Sequence, residues 1–305
     1  MRDYLIRRLV IGLFTLWIVS VVVFLLIRVS GDPVYLMVEP GAPMEEIQAM
    51  REHWGLDKPL IIQYGRMIAN ILHGDFGKSI VYARPTLELY LERLPYSLQL
   101  AGTAFVLSFV FGVLMGVLSA LRVGGFFDTF GKIFAFLGLA IPSFWLGLML
   151  IMIFAVYLRV LPAAGKGSVQ HVILPSIALG WYMTAAYVRL TRSSLLEVLG
   201  SNFIKLKRIT GVPEFLVVAK HALRNAMIPV ITFAGVELAI MINGGFVVEI
   251  VFSWPGTGLL LYDGILQRDY PIVQTVVLMT AALVVSANLL IDLLYAYIDP
   301  RIRLQ

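Results

Sequence analysis

The stretch SLQLAGTAFVLSFVFGVLMGVLSAL, residues 97–121, carries no charged side chain. About 20 mainly apolar residues in a helix cross the hydrocarbon core of a bilayer, so this segment reads as a membrane span. Five further windows of the same kind lie around it. They run from about Leu9 to Ile27, Ile133 to Leu158, Val172 to Leu190, Ala226 to Phe252 and Val273 to Tyr295. The window opening at Val172 is the weakest, being interrupted by Pro175. These runs account for a composition of 59% hydrophobic and 14% charged residues, against roughly 45–50% and about 25% in soluble domains. An ordinary soluble enzyme, a disordered chain and a fibrous repeat are thereby excluded. The expected fold class is an all-α polytopic membrane protein with six transmembrane helices.

The absence of cysteine excludes a disulfide framework, a thiolate nucleophile and a Cys-based zinc or iron–sulfur site. The net charge of +5 fits basic residues at helix ends in a lipid bilayer, not nucleic-acid binding. The first apolar run follows Arg2, Arg7 and Arg8, as a signal peptide would. It is longer than the usual run of about 7–15 residues and has no small-residue cleavage site after it, so it is expected to remain as a spanning helix. Lys and Arg in short loops set orientation. With the N-terminus inside, the inner segments hold 14 of them and the outer short loops hold Arg159, Lys166 and Arg268. Both termini are therefore expected in the cytoplasm.

Three regions follow: residues 1–29, the N-terminal end and first span; 30–96, an extracytoplasmic helical cap; and 97–305, a five-helix core with an inner loop at about 191–225. In the cap, Ile47, Met50 and Trp54 follow helical spacing after Pro43 and stop at Gly55, and Leu60 to Leu72 is a second helical stretch ended by Gly74. The inner loop is basic. Its segment from Ser201 predicts a short helix ending at Gly211, and Pro213 predicts a second one running to Asn225. Such helices either lie in the lipid interface or dock into a groove on a soluble partner.

Gly77-Lys78-Ser79 has the end of a phosphate-binding loop, but Leu72 stands where its first glycine belongs and no strand precedes it. Any ATP hydrolysis therefore belongs to another polypeptide. His53, His73, His171 and His221 are scattered without ligand spacing, so no metal site is expected. Gly112 and Gly116 form a G-x-x-x-G pattern that lets helices approach closely. Pro142, Pro175 and Pro229 mark helix starts or kinks. Intramembrane charges mark pathways, pairs or water-filled cavities. Glu237, with Asn243 nearly two turns on, is the candidate pathway pair, with pairing inside the bundle as the other reading. Asp292 lies nearer the inner end, one turn from Asn288, and is expected at the interface; Glu249 lies near the outer end of its span, where it is expected to reach the interface.

Several stretches carry a family resemblance over essentially the whole chain. They are Gly55-Leu56-Asp57-Lys58-Pro59-Leu60, Gly74-Asp75-Phe76-Gly77-Lys78-Ser79 and Ile141-Pro142-Ser143-Phe144-Trp145. With them stand His221-Ala222-Leu223-Arg224-Asn225-Ala226, Glu249 to Gly258, Arg268-Asp269-Tyr270-Pro271 and Asp299-Pro300-Arg301-Ile302-Arg303. Together they resemble the permease subunits of ATP-binding-cassette importers, in the dipeptide/oligopeptide/nickel permease family. Against the superfamily motif E-A-A-x3-G-x9-I-x-L-P, Gly211 and Leu223 fit. Lys205-Leu206-Lys207 replaces E-A-A, His221 the isoleucine and Arg224 the proline.

The resemblance implies a type I importer permease fold in the cell membrane. The expected partners are a second homologous permease subunit, two cytoplasmic ATPase subunits that bind ATP and Mg, and an extracytoplasmic substrate-binding protein. It implies no cofactor and no catalytic residue in this chain. The ATPase-coupling loop would comprise Asn202, Phe203, Lys205, Lys207, Arg208, Gly211, His221, Arg224 and Asn225. Glu249, Trp254, Pro255, Gly256 and Gly258 are candidates for the outer gate or the binding-protein contact. The expected cargo is a dipeptide or oligopeptide, with nickel chelates, glutathione or sugars as alternatives in the same family. An ion-coupled secondary transporter is the rival from another class; no inverted repeat supports it.

Overall fold

The computed structural model describes residues 2–29, 34, 41–53 and 55–298, with their side chains except at 2–5, 53, 238–240, 242–244 and 292–298. Trp54, the stretch from Asp299 to Arg303, and the side chains of Asn243 and Asp292 lie outside the described residues. Among the described residues every regular element is helical. In chain order they are α1 (Arg2–Val29), α2 (Met44–His53), α3 (Leu60–Leu72), α4 (Thr86–Leu121), α5 (Phe126–Ala140) and α6 (Ser143–Leu150). Next come α7 (Gln170–Gly200), α8 (Asn202–Ile209), α9 (Glu214–Leu216), α10 (Leu223–Gly244), α11 (Phe246–Val251), α12 (Thr257–Leu266) and α13 (Tyr270–Ile298). Among these residues five helices are long and apolar enough to cross a membrane, and a bent pair makes six when it is counted as one span. The chain is thus a multi-pass all-α membrane protein.

Two windows differ from their sequence reading. The span expected over Ile133 to Leu158 is broken: α5 meets the α6 segment at 110°. The break falls at Ile141, which is extended, and Pro142, with ψ 140°. Proline disfavours helical backbone at the residue before it, which places the stop. The helix opened by Pro213 does not end at Asn225. It passes from α9 through a π-helical segment, Val217–Ala222, directly into α10. No glycine or proline stands between Pro213 and Pro229 to stop it.

The chain divides into two compact units, residues 1–96 with 255–305, and residues 97–254. In the first, α1 packs along α13. Val19, Val23 and Ile27 meet Tyr270 and Val277, and Gly12 lies against Val285. Ser20 and Tyr64 share a hydroxyl hydrogen bond of 2.7 Å, which fixes α3 to α1. Phe24 meets the Tyr64 ring edge-on at 5.4 Å. Leu89 and Tyr90 pack with Leu260, Ile272 and Val276.

In the second unit α7 is the central helix, and small residues set how closely its neighbours approach. Gly112 and Gly116 of α4 lie on Thr184, Tyr187, Val188 and Thr191 of α7. Gly180 of α7 faces Ala104 and Ser108 in return, and Gly138 of α5 faces Ala185. Helices in lipid gain little from hydrophobic exclusion, so close van der Waals contact and interhelical hydrogen bonds hold them together. Thr103 and Ser176 supply one such bond at 2.7 Å. Tyr187 sits edge-on between Phe109 at 5.5 Å and Phe233 of α10 at 5.6 Å.

Candidate coupling face and solute-path residues

α8 begins where Ser201, extended at ψ 153°, turns its hydroxyl back to accept from the Ile204 N–H. A serine in that role satisfies one of the orphan donors at a helix start. The helix has a single fully buried side chain, Ile204, which packs with Ala120, Leu195, Val217, Ala222 and Ala226. Asn202, Phe203, Lys205, Leu206, Arg208 and Ile209 remain exposed. Gly211 ends it at φ +79°, with nothing within 4 Å of where a Cβ would stand. Glycine is thus required there by the backbone and not by space. Val212 N–H donates to the Lys207 carbonyl at 3.2 Å and closes the last turn.

Arg208 then reaches over that turn to Glu214, with Nε donating to Oε2 at 3.1 Å and Nη2 to Oε1 at 2.6 Å. The Lys207 ammonium lies 5.6 Å from the Phe203 ring centre, and His221 meets that ring edge-on at 6.1 Å. Asn225 donates to the His221 carbonyl at 3.0 Å, and Arg224 and Asn225 are exposed. The structure therefore joins Phe203, Lys207 and His221 from both halves of the motif, and it presents a basic, largely solvent-facing helix fixed by one apolar anchor.

Glu237 lies inside its unit, 8% exposed, within electrostatic reach of Tyr187. Among the described residues its Oε2 has no hydrogen-bond partner, and neither has the buried Tyr187 hydroxyl. Glu249 is buried, not interfacial: it is 2% exposed and accepts from Ser97 Oγ at 2.6 Å. Its carbonyl accepts from the Trp254 N–H at 2.8 Å, with Ser253 in the left-handed region at φ +47°. Trp254, Gly256 and Gly258 are buried and Pro255 is half-buried. This corner consequently offers little surface of its own, while Gly256 starts α12 in extended conformation.

Two motifs read separately in the sequence meet in the first unit. Asp269 is fully buried and accepts from Ser79 Oγ and from the Val81 N–H at 3.0 Å. Thr86 and Thr275 share a bond of 2.7 Å beside it. The Ser79 hydroxyl is committed to this clasp, and the Gly77 N–H to Asp75 at 2.9 Å. Gly77-Lys78-Ser79 is thus part of a loop clasp and not of a strand–loop–helix phosphate cradle. Among the described residues no three His, Cys, Asp or Glu side chains come together as metal ligands.

Sequence reasoning missed Asp128 and Arg192, which pair at 2.6 Å with Asp128 fully buried and Arg192 partly exposed. The only signal was the Asp128/Lys132 spacing of four residues, which reads as a solvated helix pair.

The comparisons with known proteins agree with this architecture. Residues 112–304 match the model of the binding-protein-dependent transport system inner membrane component, and residues 1–101 match that of its N-terminal region. The glutathione transport system permease proteins GsiC of Salmonella paratyphi A and of Escherichia coli (strain K12) are each 41% identical over 304 residues, covering 99% of both chains. A solved structure, an amino acid ABC transporter with histidines, superposes with a TM-score of 0.54 at 12% identity. It covers 68% of this chain and 93% of that one, and it supports the fold alone. With a family model across its core and relatives matched end to end, the chain belongs to the binding-protein-dependent inner-membrane transport components, the permease subunits of ATP-binding-cassette importers.

Proposed function

We propose that this subunit forms half of the translocation path for glutathione or a closely similar small peptide, driven by ATP hydrolysis in partner subunits. The observation that carries this reading is the end-to-end similarity, at 41% identity, to permeases named for glutathione transport. It moves the cargo from the dipeptides and oligopeptides expected from the motifs to the glutathione alternative. Two such permeases would face each other, two ATPases with ATP and Mg would dock on α8, and a binding protein would deliver cargo from outside. Both termini lie in the cytoplasm in this arrangement, a reading that the distribution of Lys and Arg supports.

The buried face around Glu237 suits the ammonium group of a peptide cargo, since a carboxylate removed from water gains most from a cation. An exposed basic helix anchored by Ile204 suits an acidic groove on an ATPase, because charge complementarity orients docking.

Reconstitution with the partner subunits tests the reading. Vesicles should accumulate labelled glutathione only with ATP, and unlabelled glutathione should compete better than dipeptides, longer peptides or a nickel chelate. Preference for a dipeptide would return the cargo to the first expectation. Uptake that needs an ion gradient and no ATP would refute the importer assignment.

A further inference from the structure

Asp128 is fully buried at the start of α5, and four donors converge on its carboxylate. Oδ1 accepts from Ser119 Oγ at 2.8 Å and from Arg192 Nε at 2.6 Å. Oδ2 accepts from the Gly124 N–H and from Lys132 Nζ, both at 2.8 Å. Ser119, Gly124 and Lys132 all belong to the hairpin that α4 and α5 form. Arg192 alone comes from another element, α7. A carboxylate taken out of water is stable only where donors replace its hydration, and here each oxygen accepts two hydrogen bonds. The bond to Arg192 is thus a fixed joint between α5 and α7, not a loose surface pair.

Its position along α7 gives the joint a use. From Arg192 the helix runs unbroken to Gly200 and turns at Ser201 into α8. Ile204 of α8 is held by Ala120 at the end of α4 and Leu195 of α7. Gly131 of α5 lies on Ser119 and Val188, so that α5 seats closely at the same level. The far end of α5 is the break at Ile141 and Pro142, where the chain bends by 110°. A displacement applied to α8 has a covalent route into α7 and α10. Along the chain the bent pair joins α7 only at the opposite end of that helix, through residues 158–169; at the α8 end α5 is held to α7 by the seat of Gly131 on Val188 and by the bond from Arg192 to Asp128.

We propose, on the reading of α8 as the ATPase contact, that Asp128 and Arg192 are positioning residues which carry displacement of α8 to α5. The bent pair then moves as one body with the coupling helix. Neither residue touches cargo or nucleotide; they act by holding two helices in register.

The test compares two variants of the assembled transporter that each remove one cation from the same carboxylate. Arg192→Gln is expected to lower solute imported per ATP hydrolysed by at least about tenfold while hydrolysis continues, a coupling loss in the usual range. Lys132→Gln should stay within about twofold of the native protein, because its side chain is more than half exposed and such pairs contribute little. Equal losses in the two, or no loss in Arg192→Gln, would overturn the proposal.

A measurement in the native bundle stands beside it in case Arg192→Gln does not assemble. This chain has no cysteine, so within it nitroxide labels attach only at Phe136→Cys on α5 and Thr210→Cys after α8. Their separation should stay within about 2 Å between nucleotide-free and ATP-bound states, and a change beyond about 3 Å, larger than ordinary small helix shifts, would refute the single body. Failure of the ATPase-contact reading shows separately: charge reversal on α8 would then leave hydrolysis and import coupled, whatever the other variants do.

Discussion

Gly116→Ala adds one methyl group at a close crossing of α4 and α7 in the second unit, where the distances set its consequence. The new Cβ would stand 2.6 Å from Thr191 Cβ and 2.9 Å from the Val188 carbonyl oxygen. Ordinary carbon contacts lie at about 3.5–4.0 Å, so α4 has to retreat from α7 by roughly 1 Å. The obstructing atoms are a backbone oxygen and a β-carbon, neither of which can swing away. Overpacking of that kind costs about 1–3 kcal/mol, and the better helix propensity of alanine returns about 0.5–1 kcal/mol. A net loss of about 1–2 kcal/mol should lower the melting temperature by roughly 2–8 °C for a unit of this size. Gly102 on the same helix has nothing within 4 Å of its Cβ position, so Gly102→Ala is the matched control and should be neutral or slightly stabilising. Gly112→Ala, with Tyr187 Cβ at 2.5 Å, should resemble Gly116→Ala. Combining the two should cost less than their sum, because one retreat serves both. Thermal unfolding of the purified subunit in detergent, read by size-exclusion profile, measures all four. Gly116→Ala melting together with Gly102→Ala would refute the close-packing argument.

Glu237→Leu should raise thermal stability by about 1–3 kcal/mol, since it removes a buried oxygen without a partner, yet lower import more than Glu237→Gln does; full import in the leucine variant would exclude Glu237 from the path. Ser79→Ala should cost about 1–3 kcal/mol by leaving Asp269 short of a donor, and a double-mutant cycle with Asp269→Asn should show a coupling energy of about 0.5–3 kcal/mol; strictly additive melting shifts would refute the clasp. Reversing Lys205, Lys207 and Arg208 together to glutamate should uncouple ATP hydrolysis from import while Ile204 keeps α8 folded, checked by the ratio of phosphate released to solute accumulated.

Local patterns carried most of the fold. The helix over Leu60 to Leu72 has the bounds its glycine and proline neighbours indicate, and Pro142 announced the break in the third window. Gly112 and Gly116 showed a close crossing without naming the partner, because spacing along one helix says nothing about which helix it meets. The run from Pro213 was misread for a related reason. Its basic and apolar residues look alike whether the helix stops at Asn225 or continues into the membrane, and no breaker separates the two cases. Phe203, Lys207, Arg208 and Gly211 were legible as one element, since they share it. Asp128 with Arg192, 64 residues apart, and Ser79 with Asp269 were not, because pairings so distant in sequence leave no periodic trace. Glu249 looked interfacial from its place near the end of a span; only the fold shows Ser97 beside it.

The clasp between Ser79 and Asp269 joins positions 190 residues apart, and the Thr86–Thr275 bond spans 189. A ribosome adds about 5–20 residues per second, so the loop after α3 waits roughly 10–40 s before its partner is made. During that interval α1 sits in the bilayer without α13, and the apolar stripe of Val19, Val23 and Ile27 faces lipid or the insertion machinery. The amino-terminal third of this chain is therefore synthesised first and completed last. A ribosome that stalls before Asp269 leaves a product whose earlier helices are made yet whose clasp loop is still open, a defect that quality control could read directly at that loop.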